Sequence, residues 1–293
     1  MKKVLFTQRS DIPHWVGNGF PVRTVFSYND IAEKISPFLL LDYAGPAEFS
    51  STTERRGVDT HPHRGFETVT LVYDGQVEHR DSAGGGGVIQ KGDVQWMTAA
   101  SGLVHQEFHG KEFAKSGGRF EMVQLWVNLP KKYKMVKPRY QGVLNENIPV
   151  IQFNNNQGSL RVIAGEYQGQ TGPAKTFSPI NVWDISLKAQ AEIDLKVPAN
   201  HTTLVFVMSG ELVVSNTHTL TDADLAVLET VGDNVHLKAN KDTKLVFLGG
   251  EPLNEPIVGY GPFVMSHESE IMQAFKDFQD GKMGVIENIE GSD

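Results

Sequence analysis

The sequence predicts an all-β fold built from two strand-rich halves, and three observations carry that prediction. Short runs of β-branched and aromatic residues recur along the chain, separated by Gly or Asp clusters. The second half repeats the strand-and-turn style of the first. Only one stretch, near the end, has clear helical periodicity. Short strands at this spacing point to β-sandwiches or barrels. The 293 residues, 40% hydrophobic and 21% charged, have ordinary globular composition and suit two domains of roughly 130–150 residues.

In chain order, the first strands are read at 68–73 (TVTLVY), 88–90 (VIQ), 94–98 (VQWMT) and 122–129 (MVQLWVNL). The glycines at 84–87 break the pattern as a hairpin turn would. Residues 130–141, PKKYKMVKPRYQ, carry five basic residues and read as a solvated crossing between the halves. The expected division is therefore 1–130 for the first domain, 131–145 for a linker and 146–293 for the second domain. Strands in the second half are read at 181–187, 202–208, 211–215 and 244–249. The helix follows Ser266 as N-cap, with Glu268 and Glu270 near the positive end of its dipole. Ile271, Ala274, Phe275 and Phe278 fall at i, i+3, i+4 and i+7, and Gly281 can close it.

The two halves can be aligned. Placing Gly75 on Gly210 sets His61 and His63 against Lys196 and Pro198. Placing Asp93 on Asp224 sets His105 against His236 and Glu107 against Lys238. A shared fold is expected, with the second half stripped of most metal-binding groups.

Candidate ligands crowd the first half. In an extended chain residues i and i+2 share a face, so His61 and His63 project together, as do His105 and Glu107. Pro62 biases His61 toward β geometry. Either pair alone reads as easily as polar residues at a strand entrance. Together, between residues 61 and 107, three imidazoles and a carboxylate suit a divalent iron, copper, nickel or manganese ion with positions left open. Glu67 competes for the carboxylate role, since it lies four residues after His63 on the same face of an unbroken strand. His79 with Asp81 reads as a pair supporting the metal ligands or as a surface salt bridge, the surface reading being preferred. His14, His109, His201, His218 and His267 read as surface or hydrogen-bonded structural residues.

Composition excludes several alternatives. There is no cysteine, so disulfides and thiolate metal sites are ruled out. The net charge of −8 argues against binding nucleic acid or anionic membrane. The start, MKKVLFTQRSDI, has too short an apolar run for a signal peptide, and no 18-residue apolar stretch follows. A soluble cytoplasmic protein is the expectation.

The run HPHRGFETVTLVYDGQVEHRDSAGGGGVIQKGDVQWMTAASGLVHQE, beginning at His61, closely resembles the signature of the pirin family, a branch of the cupin superfamily. GGEPLNEPIVGYGPFVM, beginning at Gly249, and the helix ending in FQDGKMG also resemble pirins, so the likeness spans nearly the whole chain. The resemblance implies two tandem cupin jelly-roll β-barrels ending in a short helix, with a metal only in the first. It implies iron(II) held by His61, His63, His105 and Glu107, other divalent metals (Ni, Cu, Mn, Co, Zn) being acceptable to the same donors. Glu67 then becomes a neighbour of the site or an alternative base to Glu107. The resemblance further implies a flavonol 2,4-dioxygenase that opens the substrate ring with O2 and releases carbon monoxide. Its alternative is a redox-sensitive protein that binds a transcription factor or metabolic enzyme, and a third reading is a metal-stabilised barrel without turnover. Departures from the family pattern occur at residues 98–102 (TAASG), in the four glycines and at Phe108. None removes a ligand, and the substrate is what they put in doubt.

Overall fold

The structure, a computed structural model, describes residues 1–286. Its strands form two units of the same strand order, except that one outer edge strand, Arg139–Val143, follows the other strands of its two sheets and the other, Val4–Arg9, precedes them. In the ligand-bearing half, a seven-stranded sheet runs in the order Arg139–Val143, Val94–Thr98, Phe66–Asp74, Gly118–Asn128, Phe38–Phe49, Phe20–Ser27, Pro13–Val16. A four-stranded sheet comprises Gly57–His63, Leu103–His109, Gln76–Asp81 and Gly86–Gln90. The other half repeats the seven as Val4–Arg9, Asp224–Leu228, Thr202–Ser209, Thr243–Gly250, Ile180–Leu187, Gly158–Ala164, Val150–Gln152. Its four are Glu192–Lys196, Asn234–Ala239, Leu212–Val214 and His218–Leu220. The all-β prediction therefore holds, as two jelly rolls. Each is a pair of sheets forming a sandwich, without one sheet closing on itself. Among the described residues, no helix is long and apolar enough to cross a membrane.

Strand pairing sets the alignment of the halves, and it differs from the expected one by a single residue. Gly75 and Gly210 occupy the same turn, with φ of 88° and 108°. Four residues on, His79 pairs with Glu107 and Val214 with Leu237. His61 pairs with His105, and Leu195 with Val235. The counterparts of His61, His63, His105 and Glu107 are thus Leu195, Val197, Val235 and Leu237, all in one buried apolar cluster. The expected partners Lys196, Pro198, His236 and Lys238 are each one position too far along. A one-residue slip moves every side chain to the opposite face. His236 accordingly points outward, beside Asp194 (3.1 Å) and Glu192 (3.4 Å). The loss of ligands from the second half stands, but hydrocarbon has replaced them.

The expected domain boundaries need correction. One unit comprises Met1–Ile12, Thr24–Leu41 and Glu146–Asn254; the other comprises Pro13–Arg23, Asp42–Asn145 and the chain from Glu255. The reason is pairing remote in sequence. Val4–Arg9 adds an edge to Asp224–Leu228, while Phe263, Met265, Ile271, Ala274 and Met283 pack with Val104. Nor is 131–145 a solvated linker. Arg139–Val143 pairs with Val94–Thr98. Lys134 is 2% exposed, and its ammonium donates to the carbonyls of Gly65 (2.7 Å) and Val264 (3.0 Å) and to the Asn128 side chain.

The helix forms as expected, over Glu268–Gln279, with its N-cap one residue later than predicted, at His267. Glu270 accepts the backbone N–H groups of both Ser266 and His267 at 2.9 Å, which closes a capping box. Ile271 and Ala274 are buried and Phe278 is exposed at the rim.

Candidate metal centre

Three histidines meet where Gly57–His63 pairs with Leu103–His109. His61 stands opposite His105 and His63 opposite Leu103. The ring centroids are 4.9 Å apart for His61 and His63, 4.2 Å for His61 and His105, and 4.8 Å for His63 and His105. One ring nitrogen from each lies within 4.8 Å of the others. Pro62 sits on the edge strand of this sheet, where its missing N–H costs no ladder bond.

Each imidazole is engaged at Nδ1. The ladder skips between His105 and Glu107, a bulge that takes Asp59 and Thr60 out of the pairing. The Asp59 carbonyl then lies 2.8 Å from His61 Nδ1. The Pro262 carbonyl lies 3.3 Å from His63 Nδ1. His105 Nδ1 lies 3.3 Å from His79 Nδ1. His105 Nε2 is buried without a hydrogen-bond partner among the described residues. Burial and the neighbouring His61 push His63 and His105 well below the ordinary histidine range, so both rings are neutral and offer lone pairs.

Glu107 lies with His79 and His105 in a second group of mutually close donors, His105 being common to both groups. Gln95 donates to Glu107 Oε1 at 2.9 Å and approaches His79 Nδ1 at 3.2 Å. Three imidazoles close to one another, one of them with a buried unpartnered nitrogen, fit a divalent transition metal, while Glu107 is grouped with His105 and His79 and not with His61 and His63.

The expectation that His79 and Asp81 form a surface pair is corrected. They are 0% and 6% exposed, with His79 Nε2 3.0 Å from Asp81 Oδ2. Their strand, Gln76–Asp81, looks polar in sequence but lies between Leu103–His109 and Gly86–Gln90. Val77, His79 and Asp81 are its buried face. Tyr140, from the supposed linker, stacks on His79 at 5.0 Å and reaches Gln95 Oε1 at 3.5 Å. Burial, with Glu107 and Asp81 nearby, pushes its phenol up to about 12. Nothing in the local sequence singled out Gln95 or Tyr140; only pairing across the sheets brings them in. Of the other histidines, His109 is the hydrogen-bonded structural residue expected, 2.8 Å from the Gly19 carbonyl.

Glu67 joins neither donor group. It is 1% exposed, accepts from the Thr98 hydroxyl at 2.7 Å and lies 4.0 Å from Arg139. Burial, only partly offset by the Thr98 and Trp96 side chains and by Arg139, raises its carboxyl to about 7.

Residues 19–127 match the family profile described as Pirin, and residues 182–284 match the Pirin C-terminal cupin domain. A putative quercetin 2,3-dioxygenase of Pseudomonas aeruginosa is 55% identical over 282 residues, covering 96% of this chain and 98% of that one. The crystal structure of quercetin 2,3-dioxygenase from Acinetobacter baumannii superposes with a TM-score of 0.96 at 54% identity, covering 98% and 100% of the two chains. A bacterial pirin from Escherichia coli in complex with nickel(II) shares the fold, with a TM-score of 0.63 at 18% identity over 84% and 99%.

Proposed function

The chain belongs to the pirin family, and on that premise we propose that His61, His63, His105 and Glu107 hold a divalent metal, iron(II) first, for flavonol dioxygenation. One observation carries the metal site: two carbonyls fix the protons of His61 and His63 on Nδ1, and the third imidazole leaves its buried Nε2 unpartnered. Neutral imidazoles oriented through the nitrogen that does not bind metal are the usual arrangement of a built site. The relatives named as quercetin dioxygenases support the reaction class.

When bound, the metal would supply Lewis-acid stabilisation of a flavonol anion and a template for its meeting with dioxygen. The protein's part is orientation and proton handling. Glu107 Oε1 accepts from Gln95, so its other oxygen serves either to hold the metal or, once free of it, to take the 3-hydroxyl proton of a phenolic substrate. Glu67 is the alternative base, with a carboxyl near neutral pKa. Trp126, half-buried with its ring 5.3 Å from that of His63, adds an aromatic wall beside the cluster. Balanced over the whole reaction, a flavonol and O2 give the ring-opened ester and one carbon monoxide.

The test pairs metal analysis of freshly purified protein with a flavonol assay in aerated buffer, using His61→Ala as control. Loss of the flavonol absorption band, with one metal per chain and neither in the variant, is expected. A fully metallated His61→Ala would overturn the site; an unchanged band with metal-loaded protein would overturn the reaction.

A further inference from the structure

The three imidazoles are not oriented in the same way. His61 and His63 face carbonyl oxygens, which only accept, so their Nδ1 atoms must carry the proton. His105 faces another imidazole nitrogen, 3.3 Å away, which can equally donate or accept. The direction of that bond is decided one residue further out. His79 Nε2 meets Asp81 Oδ2 at 3.0 Å, while Asp81 Oδ1 is taken by the backbone N–H groups of Ala83 (2.8 Å) and Gly85 (2.9 Å). A carboxylate only accepts, so the proton of a neutral His79 belongs on Nε2 and its Nδ1 is an acceptor. Gln95 agrees with this sense. Its amide oxygen faces the Tyr140 hydroxyl, so its NH2 group faces both Glu107 and His79 Nδ1.

We propose that Asp81 and His79 are positioning residues that hold the proton of His105 on Nδ1 and so keep its Nε2 bare for metal. The chain of donation runs from His105 to His79 and ends on Asp81, whose other oxygen accepts two backbone N–H groups of the 82–85 turn. His105 is the one donor common to both candidate groups, so its protonation sense decides whether the donor set is complete. This inference rests on the metal reading only in taking Nε2 as the ligating atom.

The substitution Asp81→Asn isolates the effect. The two backbone N–H groups would keep the amide oxygen, which turns its NH2 toward His79 Nε2. His79 must then carry its proton on Nδ1, where it confronts His105, and the His105 proton is driven to Nε2. Asp81→Ala removes the acceptor but imposes nothing, since Gln95 and His105 still donate to His79. Two readouts apply: nickel(II) affinity by chelator competition, and 15N-histidine NMR of the metal-free proteins, which reports each ring's tautomer directly. The expected result is a loss of nickel affinity of at least tenfold in Asp81→Asn, within the range for groups that orient ligands, a smaller loss in Asp81→Ala, and His105 changing tautomer only in the former. A purely structural tether of the turn predicts the reverse order, because Asn retains the oxygen that holds the turn. That order, or a His105 tautomer unchanged in Asp81→Asn, would overturn the proposal. If wild type and His61→Ala bound nickel equally, the metal reading would fall while the NMR comparison still decided the tautomer.

Discussion

Arg64 Nη1 lies 2.9 Å from Asp277 Oδ2, so the residue that directly follows His63 is ion-paired to the C-terminal helix. The arginine is buried, and its Nε donates to the Ser101 carbonyl at 2.7 Å. Lys282, Arg64 and Gln273 hold the Asp277 carboxyl well below the usual carboxylate range. Deleting the partner leaves a buried guanidinium uncompensated, a change that costs about 3 kcal/mol at sites of this kind. Asp277→Ala is therefore expected to lower the unfolding midpoint by that order, and Asp277→Asn by less, because an amide oxygen still accepts. Chemical denaturation of the metal-free proteins checks this, and equal midpoints for all three would contradict it.

Glu67 makes stability depend on pH in an unusual direction. Its folded pKa of about 7 lies above the ordinary value of 4.5, so the folded state binds more protons between those limits. The stabilisation is complete below about pH 4.5 and is lost as pH rises through about 7, a change of about 3 kcal/mol by linkage. Glu67→Gln keeps an oxygen for the Thr98 hydroxyl but cannot ionise. Denaturation midpoints across pH 4.5–8 should show a fall for wild type that the variant lacks. Parallel curves would mean that Glu67 ionises normally.

The parts of this protein legible in the sequence are those that local pattern encodes. Strand alternation gave the all-β fold, and i, i+2 spacing put His61 beside His63 on one face. What escaped was set by partners remote in the chain. The His236 alignment failed because the loops flanking the paired strands differ by one residue in length, which only the ladder reveals. His79 and Asp81 read as surface because their strand is polar, yet Tyr140 and Gln95 of the facing sheet lie against His79. Lys134 and Tyr140 were hidden in a charge run whose basic residues suggested solvent, while the fold uses the ammonium to tie three oxygens.

Metal binding should be visible as stability. A ligand that binds only the folded state at a hundred times its Kd adds about 2.7 kcal/mol. Nickel(II) or iron(II) should raise the melting temperature of wild type, and a chelator should reverse it. His61→Ala should abolish the rise. His236→Ala should leave it intact, since that imidazole points outward beside Asp194 and Glu192. A rise that survives His61→Ala but not His236→Ala would place the ion in the other jelly roll.

The paired jelly rolls also predict what the site costs when empty. Where one has His105, the other has Val235 in a continuous apolar cluster. His105 Nε2 is buried without a hydrogen bond among the described residues, and an unsatisfied buried group of this kind costs about 1–3 kcal/mol. His105→Val removes that group for little change of volume, while His79 loses one of two donors and keeps Gln95. The metal-free variant should therefore be more stable than metal-free wild type by about 1 kcal/mol, a rise of about 2–4 °C for a domain of this size. With nickel present the order should reverse, because only wild type gains from the ion. Thermal unfolding with chelator and with nickel tests both halves of the prediction. A variant less stable than wild type under chelator would show that the imidazole is held by more than its bond to His79.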